Sequence, residues 1–434
     1  MLKRIFLFLF FIPVFCIAQT AGTLTYQQVI EVALKNNYDI QIAKNNSTIT
    51  ETQNTFGNAG FMPRLDLNAT GGVANYTTKQ EFSTGGTVDR SGVASNNVTA
   101  GAYLSWTIFD GLRMFATKER LNLLEQNGQL SLRLQIENTM QQVTLAYFQI
   151  VKQEQLIKGI SSAKAVTEER IKVAEKKLAL GSGSNVELLQ AKLDLNAQRS
   201  DLLTQQNSLA EYKSNLLVLL KSDPYSSFTV DSVFQFNDIK SAEEIKQNIE
   251  KTNTSLMIAQ KNISINNQYI KEIRSQRMPT LALNANYLYS RSENAAGLTL
   301  LNQNLGYNFG FTFSWNLFNG FQTSNQLKVA RLQLDNSNLE AESTKYILFS
   351  GANIAYTRWL GDKQMLELEE DNIKLAEESL KITTERLRLG LGNYLEIKES
   401  QRTYEDAVTR LVNARYNLKA SETELRKLTG ELVK

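Results

Sequence analysis

The sequence predicts an α+β membrane protein: a duplicated helix-strand-strand-long helix-helix unit, three copies of which close a twelve-stranded transmembrane β-barrel continuous with a helical barrel. Three observations predict it. Residues 305–317 alternate strictly, with Leu305, Tyr307, Phe309, Phe311, Phe313, Trp315 and Leu317 set against Gly306, Asn308, Gly310, Thr312, Ser314 and Asn316. A period of two marks a strand with one apolar and one polar face. At ~3.3 Å per residue the run reaches ~40 Å, enough to cross a bilayer at a tilt. Weaker versions of the pattern recur at Val98, Ala100, Ala102, Leu104, Trp106 and Ile108, at Leu65, Leu67, Ala69, Gly71 and Val73, and at Leu281, Leu283, Ala285, Tyr287 and Tyr289. The third observation is an internal repeat. Ile42-Ala43 and Met62-Pro63 return as Ile258-Ala259 and Met278-Pro279, a shift of 216, while Trp106, Gly111, Gly181, Gly183 and Glu187 return as Trp315, Gly320, Gly390, Gly392 and Glu396, a shift of 209.

The chain begins with a pattern typical of export signals. Lys3 and Arg4 precede an apolar run over 5–17, and Cys16-Ile17-Ala18 puts small residues where cleavage before Gln19 needs them. Residues 1–18 are therefore expected to be removed, and with them Cys16, which Phe15 disfavours as a lipidation site. Residues 24–58 read as a helix that Pro63 ends. Strands follow at about 64–76 and 98–109, separated by a Gly-, Ser-, Thr- and Asn-rich stretch, 75–97, read as a long outer loop. The seven-residue change in the repeat shift falls in this strand pair.

A long helix is predicted over 113–180, spanning ~100 Å, with a tip at 181–184 (Gly-Ser-Gly-Ser). The returning helix, 186–221, carries Leu202, Gln205, Leu209, Tyr212, Leu216 and Leu219 in the three-four spacing of a coiled-coil seam. Residues 222–240 form a linker with a short strand near 228–234, closing a first repeat over 19–221. The second repeat, 241–434, has strands at about 280–290 and 305–317, a long helix at 321–389, a tip at 390–393, and a second seam through Leu411, Ala414, Leu418, Ser421, Leu425 and Leu428. Four strands cannot enclose a channel, whereas three chains supply twelve. A cyclic homotrimer also partners the coiled-coil faces.

Composition narrows the function. With 47 Lys and Arg against 44 Asp and Glu, charge is nearly balanced and no basic run interleaves aromatics, so no nucleic-acid partner is predicted. The chain has no His, and its one Cys lies in the signal, so His-dependent triads, His metal sites and Cys nucleophiles are excluded. Neither enzyme activity, cofactor nor resident metal is predicted.

The junctions Leu104-Ser105-Trp106-Thr107-Ile108-Phe109-Asp110-Gly111 and Phe313-Ser314-Trp315-Asn316-Leu317-Phe318-Asn319-Gly320, the tips Leu180-Gly181 and Leu389-Gly390, and Asn413-Ala414-Arg415-Tyr416-Asn417 together resemble the outer-membrane efflux protein (TolC) family over nearly the whole mature chain. The resemblance implies a trimeric channel-tunnel in the outer membrane of a Gram-negative bacterium, with a large periplasmic portion. It implies a periplasmic membrane-fusion adaptor and an inner-membrane transporter of RND or ABC type as partners. Multidrug efflux is the leading reading, with type I protein secretion and metal export as alternatives. A trimeric coiled-coil surface protein is the different-class reading, but it would need neither two-faced strands nor halves of equal reach.

The resemblance also assigns sites. Leu180, Gly181, Leu389 and Gly390 match the adaptor-docking tips. Trp106, Phe309, Phe311, Phe313 and Trp315 match the lipid-facing barrel. Glu396 and Glu399, one helical turn apart, match the acidic pair at the family's periplasmic constriction, and the first repeat offers Glu187 with Gln190 in the second place. Three-fold symmetry would gather these carboxylates into a ring, raising some of their pKa values by mutual repulsion. Lys398 and Arg402 lie within pairing reach of the two glutamates. Leu387 and Gly392 stand where the family has closing contacts, so Arg386 or Arg388 against Glu187 is the expected substitute.

Overall fold

The computed structural model describes residues 23–296 and 299–433, and the predicted signal peptide lies outside them. The described chain forms two compact units, one of Gln41–Gln135 with Lys246–Gly351, the other of residues up to Ile40 with Ile136–Ile245 and Ala352–Lys434. Elements run β1 (Thr23–Leu24), α1 (Tyr26–Asn36), α2 (Tyr38–Gln53), β2 (Arg64–Glu81), β3 (Thr87–Phe109), α3 (Arg113–Ala179), α4 (Asn185–Leu219), β4 (Thr229–Val230), α5 (Ala242–Thr252), α6 (Thr254–Ser275), β5 (Thr280–Asn294), β6 (Leu301–Ser314), α7 (Gln322–Arg388) and α8 (Tyr394–Leu428).

In the first of these units, β2-β3-β5-β6 form one antiparallel sheet in that order. Its register places the alternating sets together. Leu65 faces Leu104, Leu104 faces Ala285 and Ala285 faces Phe309, while Trp106, Leu283 and Phe311 form the next row. The intervening rows are polar: Asp66, Tyr103, Asn286 and Asn308, then Thr70, Thr99, Ser290 and Asn304. A single-residue slip would turn every apolar side chain to the other face. Phe309 and Phe311 are respectively 74% and 66% exposed in one chain, so the apolar face is uncovered within it.

Two strand bounds differ from expectation. The predicted outer loop at 75–97 is instead mostly strand: Tyr76 pairs with Val93 and Glu81 with Thr87, leaving only residues 82–86 as a turn, with Gly85 in the left-handed region. Polar strands paired edge to edge show no apolar alternation, so composition there read as loop. In the second repeat β5 ends at Asn294 and β6 begins at Leu301, so the first repeat's extra length lies in its strands. β6 ends at Ser314, three residues early, and Trp315 leaves the ladder to donate its indole N–H to the Arg277 carbonyl at 3.0 Å. Trp106, still inside β3, donates likewise to the Phe61 carbonyl at 2.9 Å. Each indole thus ties a strand end to the segment before Pro63 or Pro279.

The helix predicted over 24–58 breaks at Asn37. Its Oδ1 accepts from the Asp39 and Ile40 N–H groups and restarts the helix as α2. Asn253, at the matching place 216 residues on, caps α6 in the same way through the Leu256 N–H. Each long helix begins after two consecutive left-handed residues, Gly111 and Leu112 before α3, Gly320 and Phe321 before α7. The non-glycine member of each pair costs about 1–2 kcal/mol.

In the other unit, the short parallel pair β1-β4 covers a core of Val29, Val143, Tyr147, Phe148, Ile150, Leu216, Leu220 and Phe228. The strand expected near 228–234 is therefore two residues long. Burial pushes the Tyr147 hydroxyl pKa up to about 12. The second seam is filled within the chain, Leu411, Ala414 and Leu418 packing with Leu366 of α7.

Candidate functional site

Both tips belong to this unit, and both use one backbone solution. α3 ends with Gly181 N–H bonding Leu178 O and Ser182 N–H bonding Lys177 O; α7 ends with Gly390 to Leu387 and Leu391 to Arg386. This is the paired bonding of a Schellman cap, with its glycine in the left-handed region at φ +74° and +76°. The returning helices are capped by Ser184 and Asn393, whose side chains accept from Val186 and Glu396 N–H. The reversal leaves Leu180 and Leu389 82% and 73% exposed.

Just inside the tips, side chains of three helices converge. Arg170 of α3, 4% exposed, donates to Asp194 Oδ2 of α4 at 2.9 Å and to Gln401 Oε1 of α8 at 3.0 Å. Its guanidinium stacks 4.7 Å from the Tyr394 ring centroid. Tyr394 OH and Lys398 Nζ, both from α8, donate to the two oxygens of Asp194 at 2.9 and 3.2 Å. Gln401 closes the network by donating to Ala163 O and Thr167 Oγ1 of α3. Burial alone would raise the Asp194 pKa, but the hydrogen bonds from Arg170, Tyr394 and Lys398 outweigh it and hold the carboxyl below the usual carboxylate range. Burial and the Asp194 hydrogen bond raise the Tyr394 pKa. A cavity of about 180 Å³ borders this network, lined by Lys177, Glu187 and Asn393 among others.

The predicted tip residues fall around it. Glu396 is half-buried and pairs with Arg386 Nε at 3.3 Å, and Glu399 is exposed on the same helix. The expected pairing of Arg386 or Arg388 with Glu187 is not made, because Arg388 turns instead to Glu385 at 2.9 Å and Glu169 at 3.7 Å. Lys398 and Arg402, placed near the glutamates by spacing, reach Asp194 and Asp406. Arg170, Asp194, Tyr394 and Gln401 were not singled out from the sequence. A usable signal was there: Arg170 shares a helical stripe with buried Ala163 and Thr167, and a charge on such a stripe calls for a partner. Among the described residues no group of three or more His, Cys, Asp or Glu side chains is placed to hold a metal ion, and no helix is long and apolar enough to cross a membrane.

A family profile described as outer membrane efflux protein matches residues 29–220 and 246–431, one segment in each repeat. The chain belongs to the outer membrane efflux protein family. It is similar to the outer membrane protein TolC of Escherichia coli, 20% identical over 385 residues that cover 86% of this chain and 75% of that one. It is also similar to the cation efflux system protein CusC of E. coli, 23% identical over 94% of this chain and 88% of the other. The crystal structure of the Campylobacter jejuni CmeC outer membrane channel superposes with a TM-score of 0.78 at 17% identity, covering 94% of this chain and 85% of that one. Efflux proteins of this family are outer-membrane channels with a large periplasmic tunnel. The four-stranded sheet is one third of the twelve-stranded barrel that three copies of this chain close.

Proposed function

We propose that this chain is the outer-membrane exit duct of a tripartite multidrug efflux system, a homotrimer served by a periplasmic membrane-fusion adaptor and an inner-membrane RND or ABC transporter. One observation carries the reading: a sheet with one in-register apolar face and one in-register face of amides, hydroxyls and glycines. The apolar face, with Trp106, Phe309, Phe311 and Phe313, meets lipid, and Trp315 sits at its lower edge rather than within it. The other face lines the lumen. Its central rows, such as Thr70, Thr99, Ser290 and Asn304, or Gly72, Asn97, Ser292 and Asn302, carry no charge, and Arg64 and Asp66 stand in the rows at the end of the sheet nearest the helices. Such a wall filters cargo weakly by charge, which suits chemically varied drugs better than a cation-specific path.

At the tips, exposed Leu180 and Leu389 beside Gly181 and Gly390 offer the adaptor a small apolar surface. The Arg170-Asp194-Tyr394-Lys398 network ties α8 to α3 and α4, and we assign it the closing contacts of the periplasmic end. Glu396, Glu399 and Glu187 lie at the constriction, where three chains bring their carboxylates together. The test is deletion of the gene followed by measurement of intracellular drug accumulation, metal tolerance and exported protein. Raised accumulation of several unrelated drugs is expected, with metal tolerance and protein export unchanged. A defect confined to a metal or to one exported protein would replace the multidrug reading.

A further inference from the structure

Where the sheet meets the helices, the first turn of α3 and the last turns of α6 enclose an open cleft of about 500 Å³, within the usual range for ligand pockets of roughly 300–1,000 Å³. One wall is apolar, made by Leu112, Phe115 and Met278, all at least half exposed. Lys271 and Arg274 also line the cleft, exposed, and among the described residues neither forms an ion pair. Glu119 adds one carboxylate to the lining. The walls are fixed from behind. Arg120 bridges to buried Glu272 at 2.7 Å, and Gly111 lies so close to α6 that a Cβ there would come within 2.6 Å of the Ser275 carbonyl.

The cleft is continuous with the apolar face of the sheet. Phe115 meets Phe61 edge to face at 5.0 Å, and the Phe61 carbonyl holds the indole of Trp106, which shares an apolar row with Leu283 and Phe311. The cationic rim is not a requirement of the repeated fold, since the positions 216 residues before Lys271 and Arg274 are Thr55 and Asn58.

We propose that this cleft binds a phospholipid with a phosphoethanolamine headgroup, one per chain, at the periplasmic leaflet of the outer membrane. Lys271 and Arg274 take the phosphodiester, Glu119 takes the ammonium, and the acyl chains lie along Phe115, Leu112 and Met278 toward the barrel face. The charge pattern of two cations and one acid matches that zwitterion better than an anionic lipid. An apolar wall gives tails a place that a free phosphate would not use. The proposal rests on the outer-membrane position of the sheet and is independent of what the duct exports.

Native mass spectrometry of the detergent-purified trimer, titrated with phosphatidylethanolamine, phosphatidylglycerol or inorganic phosphate, tests it. Phosphatidylethanolamine is expected to occupy one site per chain ahead of phosphatidylglycerol. In Lys271→Gln plus Arg274→Gln, half-occupancy should require about thirtyfold more lipid, since each cation contributes about a fivefold factor near a headgroup. Glu119→Gln should narrow the preference for phosphatidylethanolamine, and inorganic phosphate should neither bind nor compete. The spectrum itself reports whether each variant is still a trimer. Unchanged lipid occupancy in the intact double variant, or competition by inorganic phosphate, would overturn the assignment.

Discussion

At the first tip Gly181 and Ser182 reach back to Leu178 and Lys177, and at the second Gly390 and Leu391 reach back to Leu387 and Arg386, with a capping side chain opening each return helix. Nothing comparable holds for the side chains just inside. Counting 209 residues between repeats, Arg170 corresponds to Ser379, Asp194 to Thr403, Tyr394 to Asn185 and Lys398 to Leu189. Duplication kept the turn, whose geometry only glycine and a cap satisfy. The clamp was built once, across the two repeats, from positions that differ between them. A structural turn and a functional contact can thus be separated by asking which features both repeats share.

The largest effect that would break this separation lies at Asp194. Asp194→Ala leaves the Arg170 guanidinium, 4% exposed, without its carboxylate. The expected cost is about 2–3 kcal/mol, below the roughly 3–5 of a fully buried pair, because Asp194 keeps some contact with water. Hydrogen exchange along 163–174 and 394–401 should accelerate while exchange in the sheet is unchanged, and channel conductance in planar bilayers should rise. Thr403→Ala, at the repeat-related place, should do neither. Equal effects from the two variants would mean the clamp is no special feature of the tips.

A second comparison opposes two equivalent glycines. A Cβ on Gly183 would lie 2.6 Å from the Leu178 nitrogen and 2.8 Å from the Lys177 carbonyl carbon, whereas on Gly392 its nearest neighbour, the Leu387 nitrogen, is at 3.1 Å. Gly183→Ala should therefore destabilise its tip by about 1–3 kcal/mol through overpacking, and Gly392→Ala by less than about 1. Protease sensitivity of each tip in the purified trimer reads the difference, and the reverse order would refute the packing argument.

What could be read in advance followed from periodicity. Alternation located the sheet and its faces because one face carries almost all the large apolar side chains. Glycine and proline located the turns and junctions. The extension of β2 and β3 past Asn75 and Asn97 was hidden because paired polar strands leave no apolar rhythm. Asn37 and Asn253 break their helices by side-chain capping, although the repeat shift itself aligned them. The clamp was out of reach for another reason. Tyr394 and Asp194 are 200 positions apart, and contact across that distance is set by how the helices pack, not by spacing in either one.

The carboxylates offer a smaller test. Glu396→Gln plus Glu399→Gln is expected to weaken cation preference and remove block by multivalent cations added from the periplasmic side, because a ring of carboxylates favours cations. Glu187→Gln, at the equivalent place in the first repeat, should shift selectivity less, since only one carboxylate is lost there and Gln190 holds the second place. Single-channel recording distinguishes them. Identical selectivity and block in wild type and the double variant would leave Glu396 and Glu399 as ordinary surface charges.

The smallest expected effect is that of pH on the clamp. Asp194 has a lowered pKa in the folded chain, so its stabilisation is fully present above the ordinary aspartate value of about 3.9 and is lost only as pH falls through the lower folded value. The Asp194 hydrogen bond raises the Lys398 pKa, so that contribution is complete below the ordinary lysine value of about 10.4 and fades only above it. Both windows leave the interval from pH 8 to pH 5 untouched. Hydrogen exchange at the tips, corrected for its intrinsic pH dependence, should be flat across that interval in wild type and uniformly faster in Asp194→Asn. One neighbour titrates the other way. Burial raises the Glu405 pKa, so its ionisation lowers stability as pH climbs from about 4.3 toward the folded value. A tip that loosens with rising pH in this range, and stops doing so in Glu405→Gln, would move the pH response from the clamp to the carboxyl beside Gln401.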